Sequence, residues 1–315
     1  MIITACGTAY HAGLAGALAI EQLARIPARA ELASEVRYCD PILDTNTLVI
    51  VVSQSGETAD TLAALRLAKE RGARTMSIVN VKGSTIARES ARVLYTHAGP
   101  EIAVASTKAF TVQLLCLYLV SIRLGMAAGT LSRRAGAELV SFLTQASMAV
   151  EEVIALNGRL EQAARSIAQA ENLFFIGRGA DWPMAQEGSL KLKEVSYIHS
   201  EAYAAGELKH GTISLIEPGT PVIALSTQPA TREKLVSNVR EVLARGAAVT
   251  LIETGDAGCP AGFPPECYIA LPDIPARFAS IPLACALQLL AYHTAVLRGC
   301  DVDQPRNLAK SVTVE

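Results

Sequence analysis

The sequence lacks an excess of charge of either sign, because 28 Lys and Arg residues nearly balance 30 Asp and Glu residues, leaving a formal net charge of −2. This balance offers no broad positive field for a nucleic-acid backbone, so we expect no nucleic-acid partner. Cysteines are few, odd in number and never in a CxxC pair, at positions 6, 39, 116, 259, 267, 285 and 300. Such scattered thiols indicate a reduced, cytoplasmic protein without disulfides or a zinc site.

The sequence also lacks a long uninterrupted hydrophobic run. Its most apolar stretch, Phe278 to Leu297, is interrupted by Pro282, Gln288, Tyr292 and His293, which favours a buried helix over a lipid-facing one. The first residues, MIITACGT, contain no basic segment of the kind that opens a secretory signal. We therefore expect neither export nor a membrane partner.

Motifs for nucleotides and metals are missing as well. The sequence contains no GxxxxGK[ST] loop, which excludes the usual nucleoside triphosphate site. It has no HExxH or similar ligand spacing, and the sequence places no second histidine at such a spacing from His11, His97 or His293. We therefore expect neither a metal nor another cofactor.

What the sequence does contain is an alternation of short apolar runs with longer segments of helical period. Such alternation predicts βαβ units on a parallel sheet. After one run, the segment Thr58 to Arg71 places Leu62, Leu65 and Ala68 on one face, as an amphipathic helix on a sheet requires, and Gly72 is expected to cap it. The predicted strands are Ile2 to Ala5, Leu48 to Val52 and Thr75 to Asn80.

This pattern occurs twice. Leu48 to Ala73 and Pro221 to Ala247 both read as a strand, a Ser/Thr-rich turn and a helix ending in Arg-Gly-Ala, and Ile2 to Ala9 aligns with Phe174 to Ala180 at a similar offset. The sequence therefore predicts an α/β fold with two duplicated domains, each a parallel sheet flanked by helices in a flavodoxin-like, three-layer arrangement. We expect domains at 1–125 and 169–300, a helical connector at 126–168 and an irregular tail at 301–315.

The segment SQSGET, Ser53 to Thr58, joins the second apolar run to its helix. Open α/β folds bind ligands at the carboxyl edge of the sheet, where the next helix begins with unpaired amides. Ser53, Ser55 and Thr58 add hydroxyl donors, and Gly56 lets the backbone approach an anion closely. The segment therefore predicts a phosphate site of neutral donors, although the same residues also serve as simple helix caps.

A second candidate group follows Pro183 on a predicted helix. Glu187, Lys191 and Glu194 are spaced by four and three residues, which places them on one helix face. A carboxylate that moves a proton beside an ammonium group is what an aldose–ketose interconversion through an enediol requires. A row of solvated salt bridges has the same spacing and is the alternative.

Two histidines and a lysine near the end of the chain are further candidates. His199 and His210 lie near Glu201 and Glu207, and a histidine can open a sugar ring by general acid–base catalysis. A structural histidine is the alternative. Lys310 lies in the tail, where its amine could form a Schiff base with a ketose carbonyl. The alternative is a solvated terminal lysine.

Six segments resemble the signatures of one family, the isomerase half of the glucosamine-6-phosphate synthases, which is made of two sugar isomerase (SIS) domains. The resemblance spans the whole chain in the family's order. It implies two SIS domains and conversion of fructose 6-phosphate to an aldose, the first step of hexosamine synthesis. The six segments are CGTAYHAG from Cys6, SQSGETADTL from Ser53, EIAVASTKAF from Glu101, EGSLKLKE from Glu187, EAYAAGELKHG from Glu201 and DQPRNLAKSVTVE from Asp303.

The resemblance also implies where the substrate binds. The backbone of Val104 matches one that lines the sugar site, and Ala309 stands beside the reactive lysine in the closing tail. Ala9 departs from the family, in which some members have a serine, so one phosphate contact is missing or supplied by Thr8. Four residues match the phosphate loop, namely Ser53, Gln54, Ser55 and Thr58.

The catalytic roles implied by the resemblance fall on four residues. Glu194 matches the base that moves the proton between C1 and C2, and Lys191 matches a lysine that assists it. His210 matches the ring-opening histidine that the neighbouring subunit supplies, which implies a homodimer. Lys310 matches the lysine that forms the Schiff base with fructose 6-phosphate.

A larger departure is that the family's glutaminase domain, with its terminal cysteine nucleophile, is not in this sequence, and Cys6 belongs to another motif. We expect this chain alone not to hydrolyse glutamine. Without ammonia it should make glucose 6-phosphate. With ammonia from a glutaminase domain, if one is encoded upstream, it should make glucosamine 6-phosphate. Two alternatives remain: a deglycase-like enzyme for fructosamine 6-phosphates and a catalytically silent sugar-phosphate sensor.

Overall fold

The computed structural model of the chain describes residues 1–255 and 258–314. These residues form two compact units. The first comprises residues 1–141 together with the end of the chain from Asn307, and the second comprises Phe142–Arg306. The limits of the predicted domains, connector and tail stay predictions.

The first unit is built from five strands and the helices between them. Its strands are β1 (Ile2–Ala5), β2 (Arg29–Leu32), β3 (Leu48–Ser53), β4 (Arg74–Val79) and β5 (Arg92–Tyr95). Its helices are α1 (Gly7–Ala24), α2 (Ala33–Val36), α3 (Ala59–Glu70), α4 (Thr85–Glu89) and α5 (Lys108–Ala128). The boundary between the units falls within α6 (Arg133–Ala155).

The second unit repeats this plan. Its helices are α7 (Asn157–Ile167), α8 (Asp181–Ser196), α9 (Arg232–Leu243) and α10 (Ser280–Leu297). Its strands are β6 (Asn172–Gly177), β7 (His199–Ala204), β8 (Pro221–Ser226), β9 (Ala248–Thr254) and β10 (Tyr268–Leu271). From Asp301 to Val314 the described chain forms neither helix nor strand, and we call this segment the tail.

Both sheets are parallel and have the same strand order. In the first unit the order is β2-β1-β3-β4-β5, and in the second it is β7-β6-β8-β9-β10, which is the same order shifted by five strands. Val49 of β3 pairs with Ile2 on one side and Thr75 on the other, which places β3 inside the first sheet. The predicted duplicated α/β fold is confirmed.

Successive residues of the central strands point into two buried layers, which explains why these strands are apolar throughout. In β3, Val49 and Val51 pack with Leu65 and Ala68 of α3. The intervening Ile50 is fully buried on the opposite face, where α1 lies against the strands and packs against α5. In the second unit, α9 covers one face, and α8 packs against both the sheet and α10.

Among the described residues, two helices, α5 and α10, are long and apolar enough to cross a membrane, judged by length and composition alone. The bent pair α6 and α7 would be a third candidate if counted as one span. In α10, 72% of the most apolar window is buried inside the protein. The helix packs against α7 and α8. The stretch ending at Leu297 is therefore a buried helix, as its interrupted composition indicates.

Candidate active site

Gly56 shapes the loop that follows β3. Its backbone adopts φ +68°, and a Cβ added there would lie 2.0 Å from Oγ of Ser84. The carbonyl of Gly56 accepts the amide of Ile86 at 3.0 Å, and the carbonyl of Gln54 accepts the amide of Asn80 at 3.2 Å. A side chain at position 56 would be strained and would collide with the chain that holds the loop, so glycine is required.

The hydroxyl groups of this loop organise its backbone. Ser53 Oγ accepts the amide of Gly56 at 3.0 Å and shares a hydrogen bond of 3.1 Å with Thr58 Oγ1. Ser55 Oγ accepts the amide of Glu57 at 3.1 Å. The amides of Gly56 and Glu57, which precede the helix, are therefore already bonded within the loop. Because a hydroxyl group accepts and donates at once, the side chains can hold the loop and still donate to an anion.

The tail lies against the same loop within the first unit. Ser311 Oγ and Ser55 Oγ share a hydrogen bond of 3.0 Å. The amide of Ala59, the first residue of α3, donates to the carbonyl of Val312 at 3.1 Å. This amide, at the start of the helix, was expected to be unpaired, and it is instead used by the tail.

Lys310 is held in place by two acceptors. Its Nζ donates to Glu101 Oε2 at 2.6 Å and to the carbonyl of Ala103 at 2.8 Å. The Lys310 side chain is 28% exposed. Lys310 is therefore held by other residues of the first unit and does not extend freely into solvent.

The loop and Lys310 line one cavity of about 120 Å³. Val104, which is half-buried, and Ala309, which is exposed, are not among its lining residues, so their roles stay predictions. Ala9 lines the cavity with a methyl group where a serine would offer a hydroxyl. The predicted site residues that the cavity brings together are Thr8, Ser53, Gln54, Ser55, Thr58 and Lys310.

Other polar residues at this cavity were missed from the sequence. Thr61, Ser106 and Gln113 line it, and Glu101 holds Lys310 beside it. Gln113 is 2% exposed, and within the described part of the chain its Oε1 has no hydrogen-bond partner. A single amide in the apolar sequence of α5 was the available signal for it, while Glu101 and Ser106 lie in the segment EIAVASTKAF.

Cys6 also lines the cavity. Burial raises the pKa of its thiol, an effect that a hydrogen bond from Thr61 partly opposes. A thiol with a raised pKa is a poor nucleophile at neutral pH. This environment fits the expectation that Cys6 is not the cysteine of a glutaminase.

The second unit contains the cluster predicted on α8. Lys191 forms ion pairs with Glu187, at 3.6 Å, and with Glu194. The side chains of Lys191 and Glu187 are 3% and 2% exposed, and that of Glu194 is 21% exposed. The alternative of a solvated row is wrong, because two of the three side chains are buried. Glu194 is the carboxylate of this cluster that is most open to a ligand.

The two candidate histidines are both exposed. His210 ends the short 3-10 helix Leu208–His210. The side chain of His199 is 65% exposed and lies 3.8 Å from Glu201. An exposed His210 is compatible with a role in a neighbouring subunit's site, but that role and the homodimer stay predictions.

In the second unit, the loop that corresponds to Ser53–Thr58 is occupied by a carboxyl group of the protein itself. Thr227 donates its amide to Asp181 Oδ2 at 2.8 Å and its hydroxyl to Oδ1. Burial raises the pKa of Asp181 to about 7, although hydrogen bonds from Thr227 and Gln228 oppose this rise. Ile2 pairs with Val49 in the first sheet as Phe174 pairs with Val222 in the second, so Ile2 and Phe174 are equivalent in the two repeats. Ala9 and Asp181 each lie seven residues further along, so this repeat position carries a methyl group in one unit and a carboxyl group in the other.

A larger cavity of about 570 Å³ lies elsewhere in the second unit. Asn172, His199 and Pro221, the first residues of three strands, line it, so it opens at the amino edge of the sheet. Ligands of open α/β folds bind at the opposite edge. Within residues 1–255 and 258–314, no three His, Cys, Asp or Glu side chains are grouped to hold a metal ion.

Two α/β units in tandem, with a hydroxyl-lined loop at the carboxyl edge of the first sheet, define the class of the SIS proteins. The SIS domain family matches this sequence over residues 1–123 and 166–298. These ranges cover more than half of the chain and fall on the two repeats. The chain belongs to the SIS domain family, and the resemblance found in the sequence is confirmed.

Among individual proteins, the chain is similar to glutamine–fructose-6-phosphate aminotransferases (isomerizing). It is 50% identical to the enzyme of Caldanaerobacter subterraneus subsp. tengcongensis over 100% of its own length. It is 51% identical to the enzyme of Clostridium tetani over 99% of its own length. It spans about half of these relatives, 52% and 51% respectively. A solved structure, the C-terminal domain of glucosamine-fructose-6-phosphate aminotransferase from Francisella tularensis, is 39% identical, with a TM-score of 0.93 over 96% of this chain and 86% of that one.

Proposed function

We propose that the chain is the isomerase part of a cytoplasmic glutamine–fructose-6-phosphate aminotransferase. In this proposal the loop Ser53–Thr58 binds the phosphate of fructose 6-phosphate, with Thr8 as a further contact. The observation that carries the proposal is the shared cavity of the hydroxyl loop and Lys310. Hydroxyl donors suit a phosphate and an amine suits a ketone, so the two features match the two ends of a ketose phosphate. The names of the relatives support the same substrate.

The proposed chemistry assigns one step to each candidate residue. His210 of a neighbouring subunit opens the sugar ring, and the Lys310 amine then condenses with the C2 carbonyl, which releases water and forms an imine. Without ammonia, hydrolysis of this imine restores the lysine and the open-chain ketose, and Glu194 then removes a proton from C1 and returns it to C2, with Lys191 assisting, which gives glucose 6-phosphate. Ammonia from a glutaminase domain instead displaces the Lys310 amine and leaves an imine of ammonia at C2, and the same proton transfer on that imine gives glucosamine 6-phosphate.

The test is a turnover assay with fructose 6-phosphate, in which glucose 6-phosphate is detected by a coupled dehydrogenase. Glu194→Gln keeps the size of the side chain and removes the base, so we expect a loss of at least about a hundredfold in turnover. Glu138→Gln is the control, because it changes a carboxylate whose side chain is 58% exposed on α6.

Three outcomes would contradict the proposal. If the protein neither binds fructose 6-phosphate nor forms an aldose product, and Glu194→Gln behaves as the wild type does, the assignment fails entirely. Binding without turnover would identify a sensor. Cleavage of a fructosamine 6-phosphate without isomerisation of fructose 6-phosphate would identify a deglycase.

A further inference from the structure

Glu101 is a buried carboxylate whose two oxygens are both occupied. Oε1 accepts the amides of Thr107 at 2.9 Å and Ala109 at 3.1 Å, at the start of α5. Oε2 accepts the Ser106 hydroxyl at 3.1 Å and the Lys310 ammonium at 2.6 Å. The Glu101 side chain is 3% exposed. Of these four donors only Lys310 is charged, and a buried carboxylate requires such a partner.

The carboxyl group of Glu101 is ionised at neutral pH. Burial by itself would raise its pKa, but hydrogen bonds from Lys310 and from the amides of Thr107 and Ala109 outweigh burial, and the pKa lies below its ordinary value. The negative charge that faces Lys310 is therefore present under the conditions in which an isomerase works.

The contact between Lys310 and Glu101 differs in kind from the contacts that Ser311 and Val312 of the tail make. Ser311 and Val312 are attached by neutral hydrogen bonds, one to a hydroxyl group and one to a backbone amide. Lys310 makes a charge-assisted bond to Glu101, and such bonds are shorter and stronger than neutral ones. The carbonyl of Ala103, two residues from Glu101, fixes the direction of the same ammonium group.

We propose that Glu101 is a positioning residue that, within the first unit, latches through Lys310 the part of the tail that begins at Asn307 and so delivers the Lys310 amine to the cavity beside the Ser53 loop. This inference rests on the proposed function, because it takes Lys310 as the reacting amine. For reaction, the ammonium group gives one proton to solvent and releases Glu101. The neutral amine then adds to the ketone carbonyl, and the carbonyl oxygen leaves as water when the imine forms.

The test uses Glu101→Gln, which keeps the size of the side chain and removes its charge. The imine is trapped by borohydride in the presence of fructose 6-phosphate and located at Lys310 by mass spectrometry. At saturating sugar we expect trapping to be slower by at least about tenfold, whereas the half-saturating concentration changes less than about threefold, because the residue acts on the amine and not on the phosphate.

A second readout needs no substrate. Trypsin cleaves after lysine, and Lys310 is protected while it is bound by Glu101, so we expect Glu101→Gln to be cut faster at this bond. Glu101→Asp retains the charge and is expected to recover part of the protection even where Glu101→Gln is poorly folded. The control is Glu89→Gln, which breaks a 2.7 Å ion pair with Arg66 in the same unit without touching the cavity lining.

Trapping of Glu101→Gln at the wild-type rate would overturn the inference, whatever trypsin does, because a positioning residue must affect the amine. Absence of any Lys310 adduct in the wild-type protein would count against the proposed function instead. The tryptic comparison then decides on the latch, and equal cleavage of wild type and Glu101→Gln overturns it.

Discussion

Asp181 permits a prediction whose size follows from its surroundings. The carboxyl group is 1% exposed, and burial raises its pKa to about 7 from an ordinary value of 3.8. The folded protein therefore holds the Asp181 proton more tightly than the unfolded chain. The stability contributed by the protonated group is fully present below pH 3.8 and is lost as the pH rises to about 7. At 1.36 kcal/mol per pKa unit, the full loss is about 4 kcal/mol.

Asp181→Asn removes this titration and keeps the shape of the side chain. The amide oxygen of asparagine can still accept the amide of Thr227, and its nitrogen can donate to the Thr227 hydroxyl. Between pH 5 and the folded pKa of about 7, the wild type loses the stability that corresponds to about two pH units, and little more is lost up to pH 8. The free energy of unfolding of the variant, measured relative to wild type, should therefore rise by about 3 kcal/mol over this interval.

The assay is urea unfolding at pH 5 and pH 8, followed by tryptophan fluorescence. Trp182 is the single tryptophan of the sequence and is adjacent to Asp181 on α8, so its emission reports on this unit. A difference between variant and wild type that is the same at both pH values, within about 0.5 kcal/mol, would show that burial does not hold the proton on Asp181 and would refute the reasoning.

Two further substitutions test whether a change at a tightly packed or buried position costs more stability than a similar change at an open position. Gly56→Ala places a Cβ 2.0 Å from Ser84 Oγ, so it should weaken both fructose 6-phosphate binding and stability. Gly83 has φ +73° but open space around it, so Gly83→Ala should cost only about 1 kcal/mol of backbone strain. Glu253→Gln should lower the free energy of unfolding by about 3–5 kcal/mol, because the side chain is 1% exposed and pairs with Arg232 at 2.5 Å. Calorimetric titration and urea unfolding measure these effects.

The controls for these two substitutions are built into the chain. Glu138 pairs with Arg134 at the surface, so Glu138→Gln should change stability by less than about 0.5 kcal/mol. Equal losses at positions 253 and 138 would contradict the argument from burial. Equal effects of alanine at positions 56 and 83 would show that contact with Ser84 does not constrain the loop.

The helices and strands could be predicted from the sequence because their signals are local. The predicted strand Leu48 to Val52 ends one residue before the observed β3, and the predicted helix Thr58 to Arg71 includes α3 with one flanking residue at each end. Apolar residues in unbroken runs mark strands that are buried on both faces, and glycine marks the helix ends. The duplication followed from comparing one such unit with the next.

The site was accessible only in part, because its contacts join distant segments. Glu101 and Lys310 are 209 residues apart, and no local spacing connects them. For Glu187, Lys191 and Glu194 the helical period correctly placed three charges on one face. It did not reveal that this face is buried, since burial depends on what packs against the helix.

The duplication raises the question of why we propose one phosphate loop per chain and not two. In the second unit, Thr227 spends its amide and its hydroxyl on Asp181, so these donors are already used. Above about pH 7 the Asp181 carboxyl is ionised and would also repel an incoming phosphate. In the first unit the equivalent repeat position is Ala9, whose methyl group neither takes these donors nor carries charge, and the space beside it is the cavity that Lys310 lines. The difference between Ala9 and Asp181 therefore supports our proposal that the chain has one phosphate site, in the first unit, while the corresponding donors of the second unit are used by Asp181.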